Sequence, residues 1–74
     1  MNPEQITQLI QSAIPDADVS VSSDDNVHFT AIVISSSFVN LSLIDRHKII
    51  YASLGGNMRQ EIHALSIDAR TPES

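Results

Sequence analysis

The stretch 28–35, His28-Phe29-Thr30-Ala31-Ile32-Val33-Ile34-Ser35, constrains the fold more than any other part of this chain. Phe29, Thr30, Ile32, Val33 and Ile34 all favour extended backbone, because branched and aromatic side chains fit a pleated surface. The run is nearly continuous in apolar residues, whereas a strand with one wet face alternates. It therefore predicts a central strand, one that needs strand neighbours on both sides and helices to cover it.

The neighbours are legible by their alternation. Over 17–22, Val19 and Val21 fall on one side, and Asp18, Ser20 and Ser22 on the other. Ser23-Asp24-Asp25-Asn26 follows as a polar turn, so the first two strands read as an antiparallel hairpin. Over 62–69, His63, Leu65, Ile67 and Ala69 share one side of a third strand.

Two helices supply the cover. Asn2 is a good N-cap and Pro3 fits the first helical position. Ile6, Leu9, Ile10 and Ala13 then form one stripe. Pro15 stops the helix near Ala13 by pushing Ile14 out of the α region. Ser42 with Asp45 three residues on resembles a capping box and opens a second helix. Its stripe runs through Leu43, His47, Ile50, Leu54 and Met58. Gly55-Gly56 opposes helix at about 1 kcal/mol per glycine. The expected helix thus runs to Leu54, with an extra turn to Arg59. Ser35-Ser36-Ser37 and Phe38 to Leu41 read as a connection. A strand–helix–strand crossover is right-handed and places the third strand parallel to the second. The predicted architecture is α+β, in the order α-β-β-α-β, with a three-stranded mixed sheet and both helices on one face.

Seventy-four residues make one domain, and a domain of that size has little room for an enclosed site. There is no cysteine, so no disulfide, thiolate ligand or cysteine nucleophile can come from this chain. No apolar run approaches the ~20 residues of a membrane span. The start Met1-Asn2-Pro3-Glu4-Gln5 lacks the form of a signal peptide. A cytoplasmic protein with no membrane partner is expected. Net charge is −5, and all four basic residues, Arg46, Lys48, Arg59 and Arg70, lie in the second half. Any nucleic-acid binding would need them as a local patch, against the long-range repulsion of an acidic chain.

The residues that could carry chemistry are few. His28, His47 and His63 show no local metal spacing. On position alone each is explained as a structural histidine: His28 at a strand edge, His47 half-buried on its helix, His63 at the head of the last strand. Asp24-Asp25 could face a cation, but turn chemistry explains it as well. The serine triplet lacks the context of a nucleophile, and Gly55-Gly56 fits no phosphate loop or KH loop. No nucleophile–base or acid–base pair assembles, so the chain does not read as an enzyme.

Taken together, the segments acquire a pattern. His28-Phe29, Phe38, Arg46-His47-Lys48-Ile49-Ile50-Tyr51 with Leu54, Ile62-His63-Ala64-Leu65-Ser66-Ile67, and Thr71-Pro72 resemble the BolA family. The most specific parts are the R-H-[KR]-x-[IV]-Y and [IV]-H-A-[LV]-[SA]-[IL] blocks. The resemblance spans nearly the whole chain. It implies a single BolA-like domain over 1–74 with a topology related to class II KH domains. It also implies a C-terminal helix that would begin where this sequence stops. It further implies pairing with a monothiol glutaredoxin around a shared [2Fe–2S] cluster, with glutathione, and no cofactor in the free chain. The histidine of the H-A-[LV] block, His63 here, is then a cluster ligand. The family's second ligand comes from the loop between the first two strands. That loop is Ser23-Asp24-Asp25-Asn26-Val27 here, with neither Cys nor His, so His28 and Asp25 are the nearest candidates. An acidic, Cys-free loop resembles the acid-stress-related bacterial subgroup.

Two functions follow as expectations. One is an iron–sulfur trafficking adaptor, or a sensor of iron, redox or acid stress. The alternative is a transcriptional, nucleic-acid-binding regulator using Arg46, Lys48, Arg59 and Arg70. A weak homodimer of the free chain is compatible with either expectation.

Overall fold

A computed structural model describes residues 2–55 and 64–72. The chain folds as helix α1 (Pro3–Ala13), strands β1 (Asp18–Ser22) and β2 (Phe29–Ile34), a 3-10 turn (Ser36–Phe38), helix α2 (Leu43–Leu54) and strand β3 (Leu65–Arg70). The sheet order is β1-β2-β3. β1 pairs antiparallel with β2, and β2 pairs parallel with β3. This is the predicted α+β architecture, with the apolar run at the centre of a mixed sheet. The strand boundaries differ slightly. Ala17 closes the turn after α1, with its N–H on the Ile14 carbonyl at 3.0 Å, rather than starting β1. His28 precedes β2 and Ser35 follows it. The expected third strand from 62 begins at Leu65 among the described residues, and 62–63 lie outside them.

Alternation along the strands decides which face is covered. Phe29, Ala31 and Val33 of β2, with Leu65 and Ala69 of β3, point into a core shared with Ile6 and Ile10 of α1 and Ile50 and Leu54 of α2. Both helices therefore cover one face. Ile32 and Ile34 point the other way and are half-buried among their strand neighbours, which accounts for the missing polar alternation in the sequence. Phe38 is fully buried, so the connection after β2 contributes a core residue.

The N-terminus of α1 is fixed by a reciprocal pair. Asn2 Oδ1 accepts from the Gln5 N–H at 2.9 Å, and Gln5 Oε1 accepts from the Asn2 N–H at 3.0 Å. Ala13, placed on the apolar stripe by its spacing, is exposed; Ile14, the cap residue, is buried in its stead. α2 departs further from its predicted stripe. Ser42 caps it as expected, accepting from the Asp45 N–H at 3.1 Å. Leu43, however, is 63% exposed. The inward row is instead Arg46, Ile50 and Leu54, at steps of four. α2 ends at Leu54 because Gly55 takes φ +57°, a conformation that side chains with a Cβ resist. The expected turn to Arg59 lies outside the described residues.

Candidate functional site

The register positions the site. Phe29 is opposite Leu65, so the residues just before β2 and β3, His28 and Ala64, arrive at the same end of the sheet. Ser22 pairs with Thr30, and Thr30 with Ser66, which puts three hydroxyl side chains in one row across the uncovered face. These residues, with Ser23, Asp24, Asp25 and Phe29, line a cleft of about 320 Å³.

The loop between β1 and β2 is organised by Asp25. Its Oδ1 accepts from the N–H groups of Val27 and His28, each at 2.9 Å, while Oδ2 lies 3.1 Å from His28 Nδ1. Ser23 Oγ accepts from the Asn26 N–H at 2.9 Å and donates to the His28 carbonyl, and Asn26 sits at φ +58°. The backbone N–H of His28, then its ring, then the Val27 N–H hold the Asp25 carboxyl well below the usual carboxylate range. The turn predicted from Ser23 to Asn26 is thus an Asx-type loop that carries His28 to the cleft with its side chain 77% exposed.

The candidate residues do not all meet. His28 and Asp25 do. His63 lies outside the described residues, although Ala64, bonded to it, lines the cleft. His47 is elsewhere, half-buried on α2 and edge-to-face with Tyr51 at 6.5 Å between ring centres. Among the described residues, no group of three or more His, Asp or Glu side chains could hold a metal ion by itself.

The basic set is altered more. Arg46, one of the four cations that a nucleic-acid patch would need, is half-buried. It donates from Nε to the Leu41 carbonyl and from Nη1 to the Ala69 carbonyl, each at 3.1 Å, with its guanidinium 5.9 Å from the centre of the Phe38 ring. Arg70 lies on the uncovered face and pairs with Asp68. Lys48 is exposed, and Arg59 lies outside the described residues. Arg46 and Arg70 thus serve opposite faces of the sheet rather than one patch.

Sequence reasoning missed the hydroxyl row of Ser22, Thr30 and Ser66. Its signal was present, since all three are outward positions near one end of their strands, but it needed the register between strands to be seen.

The sequence and the fold match known proteins. The family model for BolA-like proteins matches residues 5–74. BolA-like protein 1 of Pongo abelii is 42% identical over 53 residues, which are 72% of this chain and 39% of that protein. The chain thus spans about two-fifths of the length of that relative. A protein named DNA-binding transcriptional regulator BolA, from Haemophilus influenzae, is 37% identical over 46 residues, 62% of this chain and 45% of its own length. Among solved structures, a bolA protein homologue from Coxiella burnetii superposes with a TM-score of 0.83 at 32% identity, covering 99% of this chain and 94% of that one. The superposable fold and a family match over nearly the whole sequence lead to one assignment: the chain belongs to the BolA-like protein family.

Proposed function

We propose that this chain is a non-enzymatic adaptor that binds a monothiol glutaredoxin and shares a bridging [2Fe–2S] cluster with it, in iron–sulfur trafficking or in sensing iron, redox state or acid stress. One observation carries the reading: His28 and Ala64, the neighbour of His63, line the same open cleft. The donor set suits the group. His28 and His63 offer imidazole nitrogens, which are good iron ligands. The chain has no cysteine, so the thiolates would come from the glutaredoxin and from glutathione. An open, polar cleft on a small domain fits a site that a partner completes. When bound, such a cluster supplies a one-electron couple whose potential rises as imidazole replaces thiolate. The chain's own part would be to present His28 from just before β2, with His63, the residue bonded to the cleft-lining Ala64, as the second imidazole.

The test is anaerobic reconstitution with a monothiol glutaredoxin, followed by visible absorption and circular dichroism. A hetero-complex spectrum distinct from that of the glutaredoxin alone, and altered in His63→Ala, is the expected result. A spectrum unchanged in His63→Ala overturns the ligand assignment.

A second reading, a nucleic-acid-binding regulator, is supported by the name of the Haemophilus relative and by the exposed Lys48. It is weakened by Arg46 and Arg70, whose charged groups are engaged within the fold. Each phosphate contact contributes a slope of about −0.9 to log K against log salt. DNA binding that is absent at low salt, or indifferent to salt, removes this reading.

A further inference from the structure

Asp25 has two ways to act at the cleft. It could ligate directly, as a carboxylate of the loop that lines the cleft, or it could act through His28. The hydrogen bonds separate the two. Oδ1 is held by the N–H groups of Val27 and His28, and Oδ2 faces the His28 ring nitrogen Nδ1 at 3.1 Å. Both oxygens are turned into the loop. The two backbone bonds already close the turn, and an exposed carboxylate–imidazole pair adds little to stability. What the Oδ2 contact does change is the ring. A carboxylate accepts and does not donate, so the proton of a neutral His28 is drawn to Nδ1 and Nε2 is left with its lone pair. A ligating histidine is commonly held in this way by a carboxylate on its other nitrogen.

We infer that Asp25 is a positioning residue for His28: it fixes the Nδ1–H tautomer and so leaves Nε2 as the donor atom presented at the cleft. The ligand role of His28 rests on the adaptor reading; the tautomer does not. Asp25→Asn is a discriminating variant. Its amide oxygen can still accept from Val27 and His28, and Asn is at home in the same turn. Its NH₂, however, donates to Nδ1 and moves the ring proton to Nε2, which blocks the ligand atom.

The experiment uses the ¹⁵N-labelled free chain and long-range ¹H–¹⁵N correlation of the His28 ring, at a pH where the ring is neutral. The expected result is the Nδ1–H pattern in the unmodified protein and the reversed pattern in Asp25→Asn. In the glutaredoxin complex, Asp25→Asn is expected to change the visible circular dichroism as His28→Ala does, with no further change in the double variant. Ring resonances that show Nε2–H in the unmodified protein, or that do not reverse in Asp25→Asn, overturn the positioning role. A spectrum that Asp25→Asn alters beyond His28→Ala identifies Asp25 as a ligand and also overturns it. A chain that forms no cluster species at all overturns the adaptor reading, and with it the ligand role Asp25 would serve, whatever the ring resonances show.

Discussion

Asp16 Oδ2 accepts a hydrogen bond from Ser35 Oγ at 2.8 Å, joining the turn after α1 to the end of β2. The same oxygen accepts from the Ser36 N–H at 3.1 Å and Ser36 Oγ at 2.9 Å, and Oδ1 accepts from Ser37 Oγ at 3.0 Å. Ser35 is 1% exposed, and its hydroxyl also accepts from the Ser37 N–H. The serine triplet is therefore a carboxylate cradle that fixes the 3-10 turn and the burial of Phe38. Ser35→Ala is expected to lower the free energy of unfolding by about 2 kcal/mol, the scale of a hydrogen bond to a charged group. Urea denaturation measures it. Combined with Asp16→Ala, the loss should be smaller than the sum, since both variants break the same contact.

The cradle also predicts a pH dependence. Hydrogen bonds from Ser35, then Ser36, hold the Asp16 pKa at about 2, against 3.8 for the free side chain. A carboxyl depressed in the folded state contributes stability above its unfolded pKa and loses it as pH falls through the folded one. The contribution of Asp16 should be complete above pH 3.8 and disappear towards pH 2. The Asp25 carboxyl is depressed too, so the unmodified protein alone cannot isolate the effect. The gap in urea midpoint between the unmodified protein and Asp16→Asn can: it should close across this interval. A gap that stays constant to the bottom of the interval contradicts the assignment.

Arg46 is expected to behave as a structural clamp. The Arg70 carbonyl accepts from the Ser35 N–H on the β2 side, so the alternation of a strand turns the Ala69 carbonyl to the free edge. Arg46 satisfies that carbonyl with its guanidinium over the Phe38 ring. Arg46→Ala should cost about 1–2 kcal/mol in unfolding free energy, and Arg46→Lys should recover little, because an ammonium lacks the fork that reaches two carbonyls. Lys48→Ala should fall within about 0.5 kcal/mol of the unmodified protein, as an exposed substitution does. The contrast in chemical denaturation separates the clamp from a charge that could face a partner.

What the sequence revealed follows from how far its signals reach. The helix starts at Asn2 and Ser42, the break at Pro15 and the central strand are local, and period or capping chemistry suffices to read them. The Asp16–Ser35 and Arg46–Ala69 contacts join residues 19 and 23 positions apart, and polar residues of such spacing carry no periodic mark. Leu43 was misplaced for a related reason. Helical spacing identifies a row of positions, but only the tertiary fold decides that Arg46 fills its first inward place. Asp25 and His28 could be named as candidates only through the family resemblance, since turn chemistry and a strand edge explain them locally, and the contact between them required hydrogen-bond geometry.

The cleft can be tested apart from His28. Ser66 is exposed, lines the cleft and stands beside Thr30 in the hydroxyl row, so a large side chain there fills space without entering the core. Ser66→Phe should change the unfolding free energy by no more than about 0.5 kcal/mol, since phenylalanine also suits a strand. If the cleft receives the shared cluster and the glutaredoxin behind it, the same variant should weaken the hetero-complex by tenfold or more, read by titration calorimetry with the cluster-loaded glutaredoxin. A control at Ser20, outward on the same sheet but away from the cleft, should bind normally as Ser20→Phe. Equal affinity for the Ser66 and Ser20 variants would show that this end of the sheet is not where the partner sits.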